Sequence, residues 1–192
     1  QVDRLRWRIF LETHLAALPS AAVIAFVFGV LYELRGEQLP ALFGVLLPLC
    51  FGLGAVYQFF RLEALVRSAL EERPGEAAGA RLARLLALPR KVELTSTLAG
   101  WAIGGLAGGI GLVVGFDQSL ATVPVTVLLT VFTSLFSGAI AMLQVEALVR
   151  PLAVAELQRR PVDSVAIPRP FGLRQRWYLP YVFNVGLVSM AG

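Results

Sequence analysis

Reactive chemistry is scarce in this chain. Its 192 residues include one cysteine, one histidine and two methionines. A lone Cys50 cannot close a disulfide within the chain or build a thiolate metal site. A lone His14 has only Glu12 nearby as a second ligand, so a structural or interfacial role is expected of it, not a metal or haem site. Charge is also thin. Only 16% of the residues are charged and 57% are hydrophobic, against about 25% charged in a typical soluble domain. A soluble globule of this length has too little polar surface here to cover itself. Disordered and collagen-like chains are excluded by the same composition. There is no Gly-x-Ser-x-Gly elbow, no His-Glu-x-x-His and no Ser/His pair spaced for nucleophilic attack, which weighs against a hydrolase.

What is present is apolar length. Residues 15–32, 39–60, 94–116 and 120–143 contain no Asp, Glu, Lys, Arg or His. About 20 such residues cross a bilayer core as a helix. A fifth run begins at Trp177 and is still apolar at Gly192. The expectation is an all-α polytopic membrane helical bundle with five spans, the fifth truncated. The chain reads as one membrane domain over 1–192, a piece of a longer protein.

The basic residues give an orientation. Sixteen of the 17 lie before the first run, between the second and third, or between the fourth and fifth; Arg35 is the exception. In an up-down topology all sixteen share one side. The positive-inside rule makes that side, and the N-terminus, cytoplasmic. The expected location is a bacterial inner membrane. The formal charge of +4 then reflects topology and anionic headgroups, with no nucleic acid implied.

The chain also repeats itself. Glu63-Ala64-Leu65-Val66-Arg67 recurs as Glu146-Ala147-Leu148-Val149-Arg150, an offset of 83 (146 minus 63). Arg73-Pro74 and Arg160-Pro161 follow the two copies. Leu5-Arg6-Trp7-Arg8 resembles Leu173-Arg174-Gln175-Arg176 at twice 84. Three helical hairpins are expected, at 5–88, 89–172 and a truncated 173–192. All enter from one side, so they are parallel repeats and not the inverted repeats of many carriers. After the second and fourth spans the apolar residues keep a helical period, as in Leu62, Leu65, Val66, Ala69 and Leu70. Both helices are therefore expected to run on as cytoplasmic stalks. Pro74-Gly75 ends the first stalk. A short amphipathic helix with Leu82, Leu85 and Leu86 on one face is expected to lead back to Pro89.

Two sets of residues stand out. Gly100, Gly104 and Gly108, with Gly105 and Gly109 beside them, form a small-residue face on the third span. Thr130, Ser134 and Gly138 repeat the spacing on the fourth. Lipid supplies no hydrophobic drive between helices, so close packing of small faces is the expected use. The run lacks the Lys-Ser/Thr of a phosphate loop. The second set is the signal stalk: Glu63, Leu65, Val66 and Arg67, then Glu146, Leu148, Val149, Arg150 and Pro151. Pro19, Pro48 and Pro124 within spans read as tolerated kinks, and Trp7, Tyr57, Trp177, Tyr178 and Tyr181 as an interfacial belt. No ionisable group lies within the runs, which argues against an ion-coupled pump.

The segment Glu146-Ala147-Leu148-Val149-Arg150-Pro151-Leu152, the Arg-rich Leu173-Arg174-Gln175-Arg176-Trp177 and three hairpins with tiny outer loops resemble the N-terminal membrane region of bacterial class III adenylate cyclases. In that layout six membrane helices precede a HAMP domain and a cyclase domain. The resemblance implies a membrane sensor or transducer region, a homodimer and a C-terminal cytoplasmic output domain that makes cyclic AMP. It departs at Ser68, where the second copy has Pro151. Val149-Arg150-Pro151-Leu152 looks like the opening of a HAMP helix, but a Pro-rich stretch follows it, so a HAMP-like stalk is the most it implies. No catalytic, cofactor-binding or metal residue carries over. The alternative is a transporter or permease subunit whose inner linkers are coupling helices for an ATPase.

Overall fold

The structure is a computed structural model, and it describes residues 2–74, 76 and 79–159. Among these residues it is all-helical. Four long helices follow one another: α1 Val2–Leu31, α2 Gln38–Leu70, α3 Ala80–Phe116 and α4 Thr122–Arg159. Each is long and apolar enough to cross a membrane. The fifth run, the third hairpin and Arg160-Pro161 lie outside the described residues.

The turns between α1 and α2 and between α3 and α4 are tight because two non-glycine residues accept left-handed backbone. Glu33 (φ 50°) ends α1 and Asp117 (φ 54°) ends α3. At the first turn the Leu34 amide donates to the Gly29 carbonyl at 3.0 Å and the Glu33 amide to the Val30 carbonyl at 3.2 Å, the two bonds of a Schellman cap; at the second the Gln118 amide reaches back to the Leu112 carbonyl at 3.2 Å. Gly36 and Gly79 supply the other positive φ values.

Proline does not break these helices. Pro48 has no N–H for the Gly44 carbonyl and its ring presses on that carbonyl. The backbone widens there into a π-turn, Leu42–Leu46, and then resumes. Pro89 was expected to close a separate amphipathic helix. Instead α3 runs straight through it, with a second π-turn at Glu93–Thr97. A π-turn frees carbonyls. The Thr95 hydroxyl donates to the Lys91 carbonyl at 2.6 Å, and the Tyr57 hydroxyl of α2 donates to the Thr95 carbonyl at 3.2 Å. The buried face of this segment is Leu82, Leu85 and Leu88, while Leu86 is exposed. Pro151 likewise sits inside α4.

The helices pack as a ring. α2 lies between α1 and α3, and α4 lies against both on the other side. Two apolar cores fill the ring. One, the outer core beside the α1–α2 and α3–α4 turns, joins Ile24, Phe28, Leu42, Leu46, Cys50 and Leu112. The inner one joins Leu5 and Ile9, Leu62 and Val66, Leu88 and Val92, and Val145 and Val149. These eight residues fall into four pairs at a constant offset of 83: 5 with 88, 9 with 92, 62 with 145, and 66 with 149.

Outside the ring the surface is apolar. Phe26, Val30, Val45 and Val114 are all more than 60% exposed. Inside it, α4 buries Thr126, Thr130, Thr133, Ser134 and Ser137. Thr130, Thr133, Ser134 and Ser137 donate to carbonyls of α4 itself, so burial leaves none of these four hydroxyls unserved. This is the reverse of a soluble bundle.

Candidate functional site

The glycines of α3 serve two neighbours. Gly100 and Gly104 meet α2. A Cβ on Gly104 would stand 3.1 Å from the Cys50 carbonyl oxygen, and one on Gly54 of α2 would stand 2.7 Å from the Gly100 carbonyl oxygen. Backbone therefore touches backbone at the Gly54–Gly100 crossing. Gly105 and Gly109 meet α4. A Cβ on Gly105 would overlap the Thr130 hydroxyl, and one on Gly109 would stand 2.7 Å from Val123 Cα. Gly108 lies between, next to Cys50 and Thr126. Ser134 is fully buried. Gly138 opens not onto the α3 glycines but onto the side chain of Glu93, whose Cγ would be 3.4 Å from a Cβ there. These contacts all fall within one chain.

The expected stalks are continuous with their spans but do not stand free. Val66 and Val149 are in the inner core, and Leu65 and Leu148 pack against it. Arg6 of α1 donates to Glu63 Oε2 at 2.6 Å and also reaches Asp3 at 3.1 Å. Its guanidinium lies 4.4 Å from the centre of the Phe59 ring, close enough for a cation–π contact. Glu63 in turn holds Arg67 at 2.7 Å. Glu146 is half-buried, and Arg150 and Pro151 are exposed.

Residues that sequence reasoning passed over tie the inner ends together. Arg81, at the start of α3, pairs with Glu72 beyond α2 and with Glu156 of α4, the latter at 3.3 Å. Arg84 pairs with Glu76 and donates to the Glu71 carbonyl at 2.6 Å. Spacing gives no warning of such pairs, because they join separate helices.

A cavity of about 640 Å3, its open mouth included, is walled by Ile24, Phe28, Leu42, Leu46 and Cys50 of the outer core and extends towards His14, Gln58 and Thr97. Most of its wall is apolar. Phe51 and Trp101 meet edge to face on it, their centroids 5.6 Å apart. Its polar lining includes His14, Gln58, Thr97 and Thr130. Gln58 is buried and donates to Thr13 Oγ1 at 2.9 Å, and Thr13 donates to the Phe10 carbonyl at 3.0 Å. His14 Nδ1 is 2.8 Å from the same carbonyl. Among the described residues no group of three or more His, Cys, Asp or Glu could hold a metal.

No family model, curated protein or solved structure matches the chain. The functional reading therefore rests on its own geometry and on the residues quoted above.

Proposed function

We propose that the chain is a membrane-embedded relay: a sensor or transducer region that acts on a cytoplasmic output enzyme. A class III adenylate cyclase domain is the output that the resemblance implies, and a homodimer is the assembly such a domain needs. The apolar outside and hydroxyl-lined inside support embedding in a bilayer, with the arginine-rich ends in the cytoplasm. The 83-residue offset within the inner core supports duplication of a helical hairpin.

The observation that carries the relay reading is the inner junction. α4 has 38 residues, about 57 Å at 1.5 Å per residue, against a ~30 Å bilayer core. Its inner end is clamped through Arg81 to the end of α2 and the start of α3. A small shift of one helix at the glycine crossings then moves the ends of the others as a unit. The junction is held by ion pairs and apolar packing, with no catalytic set in it. That is suited to passing a displacement on, not to transforming a substrate.

The test uses the complete gene product in membrane vesicles, with cyclic AMP output measured against Gly104→Leu and Arg81→Met. Altered basal or stimulated output with normal membrane insertion is the expected result. Unchanged output in both variants would remove the crossings and the clamp from any relay. Orientation is read separately, with Cys50→Ser and single cysteines at positions 35 and 76. An impermeant maleimide should label position 35 from outside intact cells and position 76 only after lysis.

A further inference from the structure

The cavity beside the outer core has features that packing alone does not require. Thr97 is 3% exposed, lines the cavity, and its hydroxyl has no hydrogen-bond partner in the protein. A buried hydroxyl without a partner costs about 1–3 kcal/mol, which is why such groups are rare. The hydroxyls of Thr13 and Thr130 are satisfied by carbonyls of their own helices. Ser20 of α1 is also buried without a partner, but of the two only Thr97 is on the cavity wall.

His14 adds a complementary group. A carbonyl oxygen only accepts, so the contact with Phe10 places the proton on Nδ1. In the neutral imidazole Nε2 is then an acceptor. His14 and Thr97 are also equivalent under the repeat, since 97 minus 14 is 83. The two hairpins thus bring the same register position to one cavity, once as an acceptor and once as a hydroxyl. The flat walls of Phe51 and Trp101 complete it.

We propose that this cavity is a binding site for a lipid-soluble phenol, a flat apolar ring whose hydroxyl donates to His14 Nε2 and accepts from the Thr97 hydroxyl. The enclosed part of the cavity takes the ring and its hydroxyl, an alkyl tail would extend through the mouth, and entry is from the bilayer, where such a molecule partitions. The proposal supplies the relay with a ligand. It is tested by binding alone, so that its failure and failure of the relay are separate results.

The experiment uses the full chain in nanodiscs of dioleoylphosphatidylcholine, with Trp7→Phe and Trp177→Phe so that Trp101 alone reports. The probes are 4-nonylphenol and nonylbenzene, which differ by the hydroxyl. Saturable change of Trp101 emission by 4-nonylphenol is expected, with half-saturation about five-fold lower in mole fraction than for nonylbenzene, the size of one or two modest hydrogen bonds. Thr97→Val and His14→Phe should each shrink that gap, and Thr97→Ser should keep it. Non-saturable response to both probes overturns the site, as does a gap that survives both Thr97→Val and His14→Phe.

Discussion

Two glycines of α2, only two positions apart, should respond oppositely to the same substitution. Gly52 faces open space, with nothing within 4 Å of a Cβ built on it. Gly54 faces the backbone of α3, where a Cβ would stand 2.7 Å from the Gly100 carbonyl oxygen and 3.3 Å from its carbon. Alanine at either site gains helix propensity, about 0.5–1 kcal/mol in a helix interior. At Gly52 nothing opposes that gain. At Gly54 the obstacle is backbone, which cannot rotate away as a side chain can. The helices must part by several tenths of an ångström, and overpacking of this kind costs about 1–3 kcal/mol. The net expectation is stabilisation by up to about 1 kcal/mol for Gly52→Ala and destabilisation by about 1–2 kcal/mol for Gly54→Ala. At about 2–4 °C per kcal/mol for a chain of this size, the melting points should separate by about 2–12 °C. Thermal unfolding of the purified protein in mild detergent, followed by far-ultraviolet circular dichroism, reads the difference. Equal shifts of one sign in the two variants would refute the close crossing of α2 and α3.

Other consequences of the packing are open to measurement. Arg6 is 12% exposed and Glu63 37%, so their pair is only partly screened. A double-mutant cycle with Arg6→Met and Glu63→Gln should give a coupling of about 1 kcal/mol, and zero coupling would mean that Phe59 and the apolar stem alone place Arg6. Arg81→Met should loosen the inner end of α4, seen as several-fold faster amide exchange at residues 153–159 with residues 126–137 unchanged; uniform exchange would deny the clamp. Gln58→Leu should cost less than about 1 kcal/mol, because Thr13 keeps its donation to Phe10; a loss above 3 kcal/mol would assign Gln58 a larger role. Glu33→Gly should raise thermal stability slightly, since left-handed backbone costs a non-glycine residue about 1–2 kcal/mol and glycine returns part of that as chain entropy.

The long helices are legible in the sequence because apolar length is a local property, and the four uncharged runs carry it without ambiguity. The helical continuation past the second and fourth runs is legible for the same reason, through the period of Leu62, Val66 and Ala69 and of Val145, Val149 and Ala153. The division of the glycines is not. A spacing of four places Gly100, Gly104 and Gly108 on one stripe, and only the positions of α2 and α4 decide which neighbour each one meets. Pro89 misleads because its local preference is to end a helix, while packing of Leu85, Leu88 and Val92 into the inner core holds the chain helical on both sides of it. Arg81 and Thr97 are invisible to any local pattern. One is defined by carboxylates on two other helices, the other by the absence of a partner for its hydroxyl.

The repeat explains why the junction and the cavity differ in kind. In the inner core the offset of 83 pairs apolar with apolar at all four positions, so the two hairpins contribute equally and the packing is close to self-similar. At the level of the cavity the same offset pairs Gln58 with Ala141, Cys50 with Thr133, Gly54 with Ser137 and His14 with Thr97. Similarity ends where polar groups begin. A structural core gains from equal partners, because one packing solution serves twice. A site that orients a hydroxyl needs a donor on one side and an acceptor on the other, and two identical hairpins supply that poorly. The two hairpins also diverge at the outer end, where Phe28 pairs with Gly111 and Leu34 with Asp117, so the inner end alone keeps the repeat, as a duplicated bundle would if that end were kept for packing and its centre for recognition. Substitution of His14 by threonine, which makes the two hairpins alike at this register, should therefore leave the inner core and the melting point nearly unchanged. It should shrink the preference for 4-nonylphenol over nonylbenzene, as His14→Phe does. A variant that keeps the full preference would place recognition elsewhere.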